Sequence, residues 1–365
     1  MKTLMVQTKE RTYPIHIGSG LLRQLPDLIE EAGWSSEQSL MLVTDDQVAP
    51  LYQEPVYRSL TDHGYHVECV TIPAGEASKT LLYWEELLTK CIRAGLDRTS
   101  GILALGGGVV GDLAGFLAAT YMRGIPFIQL PTTLLAHDSS VGGKVGVNHP
   151  LGKNMIGAFH QPSMVIFDVD TLHSLPAREV ASGYAEVIKE ALIYDPDFVS
   201  WLEANSSALM KLESSFVTEA ILRGCSVKAD VVSKDEKETG LRAILNYGHT
   251  IGHALEATAG YGTYTHGEAV AIGMVGAAML GEELGLCPPL AGRTQKLLEA
   301  FNLPTRIRGK LSNEDLMERM RRDKKVKQGV YTFVLPRNVG HVELIHGVEE
   351  KRILKVLKCL RGEGR

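Results

Sequence analysis

Cysteine is scarce and scattered in this chain: 5 residues in 365, at Cys69, Cys91, Cys225, Cys287 and Cys359. They are odd in number and form no C-x-x-C pair. That excludes a disulfide framework and a thiolate zinc site, and it points to a reducing, cytoplasmic setting. Long apolar runs are missing too. The longest weakly polar stretch, "AVAIGMVGAAML" from Ala269 to Leu280, is too short to span a bilayer. It reads as a buried helix whose Gly and Ala permit close packing. The N-terminal "MKTLMVQTKERTYPIHIG" lacks the apolar core of a secretory signal. Nor is there an excess of positive charge. The net charge is -5, which gives no general attraction to nucleic acid or anionic lipid. No internal repeat or low-complexity tract interrupts the chain. What remains is the composition of an ordinary soluble protein, 44% hydrophobic and 22% charged, with the length of two domains. Basic residues cluster locally, which fits a small anionic ligand better than a polyanion.

The first half alternates short apolar runs with helix-like stretches. "QSLMLVTDD", "HVECVTIPAGE", "GILALGGG" and "PFIQLPTT" read as strands. "LYQEPVYRSLTDHG", "KTLLYWEELLTKCIRAG" and "VVGDLAGFLAATYMRG" read as the helices between them. This alternation predicts an α/β domain with a doubly wound, mostly parallel sheet of the Rossmann type, which binds ligands at the carboxyl ends of its strands. From about Pro176 the pattern turns to long helical periods, at 177–194, 197–212, 215–234, 241–259 and 267–284. "VYTFVLPR" and "HVELIH" form a late hairpin around "NVG". The expected domains are therefore 1–176, α/β, and 177–365, mainly helical.

Three motifs carry chemistry. In "LALGGGVVGDLAG", Gly106, Gly108 and Gly111 satisfy G-x-G-x-x-G at a strand–helix turn, which suits a pyrophosphate on exposed amides and the helix dipole. The same glycines can be purely structural. The usual acid some 20 residues on is absent, so Asp45, at the end of an earlier strand, is the candidate ribose partner. "PAGEASK" adds Glu76 and Lys79 at the same edge. "LAHDSSVGGKVGVNHPLGKNMIGAFHQP" reads as a loop that sets Asp138, Lys144, Lys153 and Asn154 among glycines, as backbone wrapped around a phosphorylated ligand would require.

The third is "LNYGHTIGHALE". Taken as one helix from Leu241, it brings Arg242, Asn246, His249 and His253 onto a single stripe at about 100° per residue. Glu256, three residues on, could orient His253. "THGEAVAIGM" adds His266 at the mouth of the next helix. Two His and one carboxylate with an open position make a catalytic divalent-metal pattern. By spacing alone Glu179, Glu186 and Glu190 all qualify as the carboxylate, with Lys189 nearby. "MRRDKKVKQG" is basic and offers Lys324 or Lys325 to a phosphate.

In order along the chain, "GGGVVGDLAGFLAATYMRG", "GKNMIGAFHQP", "GYAEVIKEALI", "LNYGHTIGHALE", "HGEAVAIGM" and "DKK" resemble the 3-dehydroquinate synthases of the shikimate pathway. The resemblance covers nearly the whole chain. It implies conversion of 3-deoxy-D-arabino-heptulosonate 7-phosphate to 3-dehydroquinate and phosphate. The implied route is transient oxidation by NAD+, β-elimination of phosphate, re-reduction, ring opening and intramolecular aldol closure. It implies a cytoplasmic homodimer with one divalent metal ion, zinc or cobalt, on Glu186, His249 and His266. NAD+ would lie near Asp45, Ala74, Gly75, Glu76, Ala77, Ser78, Lys79, Gly108, Val109, Val110, Gly111, Asp112, Thr132 and Thr133. Lys144, Lys153, Thr171, Leu172, His173 and Ser174 complete that set. Substrate contacts would fall to Asp138, Lys144, Lys153, Asn154, Lys189, Lys228, Arg242, Asn246, His253 and one of Lys324 and Lys325, with Arg123 reaching the phosphate across the dimer interface. Of these, Asp138, Lys144, Lys189, Asn246 and His253 are the implied catalytic residues, His253 as proton shuttle at the C5 oxygen. Arg242 and Lys228 suit a substrate carboxylate. A metal-dependent polyol dehydrogenase of the glycerol dehydrogenase type, or another sugar phosphate cyclase, is the alternative. Neither nucleic acid nor membrane is an expected partner.

Overall fold

Both faces of a sheet must be covered when its strands read apolar without alternation, and this is how the N-terminal half is built. A computed structural model describes residues 1–236, 238, 240–260, 262–309, 311–322 and 331–363. The chain divides into two compact units, Met1–Leu175 with Val217–Ser233, and Pro176–Phe216 with Lys234–Arg365.

Unit 1 opens with β1 (Lys2–Gln7) and β2 (Thr12–Gly18), then α1 (Leu25–Glu31), β3 (Ser39–Asp45), α2 (Glu54–Thr61) and β4 (His66–Ile72). It continues with α3 (Leu81–Arg93), β5 (Gly101–Gly106), α4 (Gly108–Thr120), β6 (Phe127–Pro131), α5 (Ala136–Ser139), β7 (Lys144–His149), β8 (Gly152–Phe159) and β9 (Met164–Asp168). The main sheet has seven strands in the order β1-β2-β9-β6-β5-β3-β4. All pairings are parallel except the β1–β2 hairpin. Alternate residues of one strand feed opposite cores. Met41 and Val43 of β3, with Ile102 and Ala104 of β5, pack with Leu113 and Leu117 of α4. Leu40, Leu42, Leu103 and Leu105 pack with Leu28 of α1 and Val56 of α2.

The order β4-β3-β5-β6 reverses direction between β3 and β5. That is the topological switch point, where sheets of this kind leave a ligand crevice beyond their carboxyl ends. Asp45 ends β3 and Gly106 ends β5, so both stand at it.

The segment expected as a loop is instead a short helix, α5, followed by the antiparallel hairpin β7–β8. Its glycine density has a packing cause. A Cβ on Gly146 would stand 2.4 Å from the Ile156 carbonyl oxygen, and one on Gly157 2.3 Å from that of Val145. The two strands can approach this closely only without side chains there.

Unit 2 holds α6 (Ala177–Tyr194), α7 (Pro196–Met210), the start of α8 (Ser214–Lys234), α9 (His249–Ala259), α10 (His266–Glu283), α11 (Ala291–Ala300) and α12 (Asn313–Arg322). The hairpin β10 (Tyr331–Asn338) and β11 (His341–Val348) and then α13 (Glu350–Leu360) follow. Every residue of α6 from Val180 to Ile193 is buried, as is most of α10. Helices apolar on all sides belong in a core. Among the described residues no helix is long and apolar enough to cross a membrane.

Two expectations need correction. A cut at 176/177 places all of α8 in the second domain, yet Val217–Ser233 groups with unit 1. Lys228 and Cys225 of that segment reach α5 of unit 1: Lys228 Nζ meets the Asp138 carboxylate at 2.7 Å and its carbonyl oxygen, and Cys225 Sγ donates to the His137 carbonyl. The single helix expected from 241 to 259 is broken. Residues Leu241–Asn246 form a 3-10 helix, Tyr247 is extended, and Gly248 takes φ +80 before α9 begins. A side chain at Gly248 would lie 2.7 Å from Met274 Cγ and 2.8 Å from the Val270 carbonyl oxygen. Backbone of the 241–246 turn thus cannot run on into α9.

Candidate active site

Each unit gathers one set of the expected residues. In unit 1 the carboxyl ends of five parallel strands supply them. Asp45 ends β3; residues 74–79 follow β4; Gly108–Asp112 open α4 after β5; Thr132 and Thr133 follow β6; and a 3-10 turn, Val169–Ser174, follows β9. At the head of α4, Gly107 caps the helix without any side-chain bond. A Cβ on Gly106 would collide with Val110 at 2.6 Å, and one on Gly107 with Thr133 at 2.9 Å. These glycines leave the first amides of α4 bare, as a pyrophosphate requires. Thr132 Oγ1 is buried with no hydrogen-bond partner among the described residues. Bare amides, an orphaned hydroxyl and the switch point together fit a dinucleotide.

The acids at this edge have structural duties as well. Asp45 Oδ1 accepts from the amides of Gln47 and Val48, both at 2.9 Å. Its neighbour Asp46, absent from the expected set, receives the Ala74 amide at 3.0 Å and so anchors the "PAGEASK" turn. Lys79 is 5% exposed and its ammonium bridges Asp112 Oδ2 and Asn154 Oδ1. Burial pushes the Asp112 carboxyl up, and the Lys79 charge pulls it back. Thr171 donates to the Asp168 carbonyl and Ser174 to that of Thr171, both at 2.8 Å; Leu172 is buried and His173 exposed. Lys144 and Lys153 lie exposed on the hairpin strands. Met122, Arg123 and Gly124 turn sharply after α4, with φ of 49, 71 and 121. Three consecutive left-handed residues, two of them not glycine, store strain of the kind found at functional positions.

In unit 2 three packed helices converge. A Cβ on Gly267 of α10 would lie 2.0 Å from the Ser182 carbonyl oxygen of α6, and one on Gly273 1.9 Å from that of Gly248. Glycine lets α10 touch both neighbours backbone to backbone. That contact brings Glu186 of α6, His249 of α9 and His266 of α10 within ligand range, their donor atoms within 4.8 Å of one another. His249 Nε2 lies 3.6 Å and His266 Nε2 3.4 Å from Glu186 Oε1. Glu179 is exposed on the first turn of α6, and Glu190 is buried outside this group.

The far nitrogens are engaged as metal-bound histidines require. His249 Nδ1 meets the Tyr247 carbonyl at 3.1 Å, and His266 Nδ1 meets Glu256 Oε2 at 3.4 Å. Glu256 therefore meets His266 while also standing within ligand range of His253, the ring that helix spacing assigns to it. Burial drives the His249 pKa well below the usual histidine range, Glu186 offsetting it only in part. Burial also lowers His266, but bonds to Glu186 and Glu256 and their charges outweigh it and raise the ring to about 10. Glu186 and Glu256 together favour an imidazolium on His266, while burial keeps His249 neutral. A divalent ion would satisfy both rings as neutral donors, so the donor set fits a two-His, one-Glu metal site.

The other expected residues divide by the broken helix. His253, one turn along α9, is exposed, with its ring centroid 5.2 Å from that of His249 and 6.2 Å from that of His266. His253, Glu256 and His266 form a second group within metal-ligand range. Arg242 and Asn246 stand on the preceding 3-10 turn, not on the stripe of α9. Arg242 is 2% exposed and donates to the Glu236 carbonyl at 2.8 Å, while Asp235 holds its amide at 2.9 Å. Lys189 is buried and donates to Glu186 Oε2. Lys324 and Lys325 lie outside the described residues.

Models of the 3-dehydroquinate synthase N-terminal and C-terminal regions match residues 69–182 and 183–326. The chain belongs to the 3-dehydroquinate synthase family. A 3-dehydroquinate synthase from Desulforamulus reducens is 50% identical over 98% of this chain and 99% of its own. Among solved structures, a 2-deoxy-scyllo-inosose synthase complexed with carbaglucose-6-phosphate, NAD+ and Co2+ has TM-score 0.87 and 28% identity, over 98% of this chain and 99% of its own. The 2-epi-5-epi-valiolone synthase of Streptomyces hygroscopicus subsp. jinggangensis, with NAD+ and Zn2+ bound, has TM-score 0.88 and 27% identity, over 97% and 98%. A glycerol dehydrogenase from Schizosaccharomyces pombe, at 15% identity and TM-score 0.65 over 96% and 89%, shares the fold alone.

Proposed function

We propose that this enzyme catalyses the 3-dehydroquinate synthase reaction on 3-deoxy-D-arabino-heptulosonate 7-phosphate. The observation that carries the reading is the Glu186–His249–His266 cluster in a chain 50% identical, over nearly its whole length, to a 3-dehydroquinate synthase. When bound, the divalent ion supplies Lewis acidity at the substrate oxygens and NAD+ a reversible hydride acceptor. Glu186, His249 and His266 hold the ion. The amides at the head of α4, with Asp45, residues 74–79, Asp112, Thr132, Thr133 and residues 171–174, hold the dinucleotide. His253, exposed beside the metal ligands, moves the proton of the C5 hydroxyl. Lys189 and Asn246 orient the substrate near that group, and Asp138 with Lys144 its ring. Lys153, Asn154 and one of Lys324 and Lys325 take the phosphate. Arg242 and Lys228 remain the candidates for the carboxylate.

The reading extends to a cytoplasmic homodimer in which Arg123 serves the partner's phosphate site. Its support is the strained Met122–Gly124 turn together with the exposed apolar side chains of Met122, Met155 and Phe159. Gly124 adjoins His160, which follows Phe159 at the end of β8.

The decisive assay supplies the heptulosonate phosphate, NAD+ and zinc. Phosphate release without lasting NADH is the expected result; steady NADH without phosphate would make the enzyme a polyol dehydrogenase. A mixture of Arg123→Ala and His249→Ala chains, each inactive alone, should regain activity in hybrid dimers. Absence of recovery in a verified mixed dimer would confine Arg123 to its own subunit.

A further inference from the structure

Asn148 belongs to no expected set, yet three of its polar groups are committed within unit 1. It sits at the register shift between Val147 and His149 where β7 pairs β8. The surplus residues are on β8, where Lys153, Asn154 and Met155 face the single Asn148, and a bulge bends the strand that carries it. The Asn148 amide donates to the Lys79 carbonyl at 2.8 Å, in an isolated bridge that joins Thr80 to Asn148. Its side-chain Nδ2 donates to Glu76 Oε1 at 2.7 Å, and its Oδ1 accepts the Asn154 amide at 2.8 Å. Asn154 takes φ +54, a conformation that asparagine tolerates and most residues resist. Its own Oδ1 accepts from Lys79, which also binds Asp112. The circuit closes: Glu76, Asn148, Asn154, Lys79 and Asp112 hold one another.

Glu76, Lys79 and Asp112 lie on the dinucleotide edge, and Asn154 and its neighbour Lys153 lie on the phosphate-directed hairpin. We infer that Asn148 is a positioning residue that couples the two, fixing Asn154 in its left-handed conformation only while Glu76 and Lys79 are in place. Nucleotide at that edge and phosphate at the hairpin then strengthen each other's binding, and by linkage the effect is the same in both directions. The inference rests on the synthase reading for the identity of the two ligands.

The test uses the full-length, zinc-loaded enzyme. Calorimetry gives the Kd for NAD+ with and without saturating inorganic phosphate, and steady-state kinetics gives KM and kcat for the heptulosonate phosphate. In the unaltered enzyme phosphate should tighten NAD+ several-fold. Asn148→Ala should abolish that tightening and raise KM by about tenfold, the scale of one or two lost hydrogen bonds to charged or strained groups. It should leave kcat at saturation within about twofold, because no reacting atom is touched.

Asn148→Asp keeps the acceptor for the Asn154 amide but sets two carboxylates face to face at Glu76. It should weaken NAD+ more than it raises KM. Adding Glu76→Gln lets the new amide donate to the introduced carboxylate, and a double-mutant cycle on NAD+ affinity should show recovery. That cycle decides the matter even if Asn148→Ala proves unstable. Additive effects in the cycle, or a kcat loss with both binding constants unmoved, would overturn the inference. Failure of the unaltered enzyme to release phosphate would instead defeat the synthase reading, and the two failures cannot be confused.

Discussion

The two units make their sites by opposite means. Unit 1 assembles its edge from the places where strands stop. Five carboxyl ends and one helix start present amides, hydroxyls and short turns, and the side chains there, such as Asp45 and Ser78, mostly tie down backbone. Unit 2 builds its cluster deep among helices, where glycine contacts set the spacing and each ligand projects from a different element. Recognition of a nucleotide can be left to topology, because every sheet of this order has a switch point. A metal cluster needs three side chains to converge, and only packing can supply that.

The sharpest break in this contrast removes ligands. His249→Ala should lose the metal and at least about 10³ in rate, whereas His253→Ala should lose a similar factor in rate yet keep its metal. Metal analysis of the purified variants separates them; equal metal loss in both would erase the division of labour along α9. Gly267→Ala tests the packing directly. With a Cβ 2.0 Å from the Ser182 carbonyl oxygen it should cost about 3 kcal/mol and lower zinc occupancy, as read by chemical denaturation and metal content. The matching change in unit 1, Asp112→Asn, takes the counter-charge from the buried Lys79 ammonium and leaves it only neutral acceptors, Asn154 Oδ1 among them. It should weaken NAD+ and cost about 2 kcal/mol, with no change in zinc content.

A smaller effect concerns protons. His266 is raised to about 10 in the metal-free protein, so at pH 8 it carries a proton that a metal ion must displace. Calorimetry in buffers of different ionisation enthalpy should find about one proton released per ion. Affinity should fall about tenfold per pH unit as pH drops below the raised pKa, and a flat profile between pH 7 and 9 would contradict this origin. The smallest effect is expected on the surface: Glu54→Ala, which breaks the exposed pair with Arg58, should change stability by less than about 0.5 kcal/mol and neither ligand's binding.

Much of unit 1 is legible in the sequence because its signals are local. Apolar runs ending in Asp45, Gly106 and Thr132 mark strands, and the residues just past a parallel strand lie at one edge of the sheet. The β7–β8 hairpin reads as a loop since its glycines serve backbone contact between the two strands, a use indistinguishable in sequence from wrapping a ligand. Asn148 gives no signal because its partners Glu76, Lys79 and Asn154 are brought to it by strand pairing and not by any spacing in the sequence. In unit 2 spacing leaves Glu179, Glu186 and Glu190 equivalent, and only the resemblance favours one. The stripe from Arg242 to His253 fails at Tyr247–Gly248, where helix arithmetic runs across a glycine that the fold holds at φ +80.

By itself the sequence determined the parallel sheet, the family and the residue types available for chemistry. Those arise from periodicity, strand-end glycines and ordered motifs, all short-range properties of the chain. The tertiary structure decided which carboxylate meets which imidazole, that Glu256 reaches His266 as well as the neighbourhood of His253, and that Asn148 joins two stretches of the same edge. These are contacts made by packing, and they exist because glycines of α10 lie against the backbone of Ser182 on α6 and of Gly248 before α9, while glycines of β7 and β8 face each other, closer than any side chain would allow.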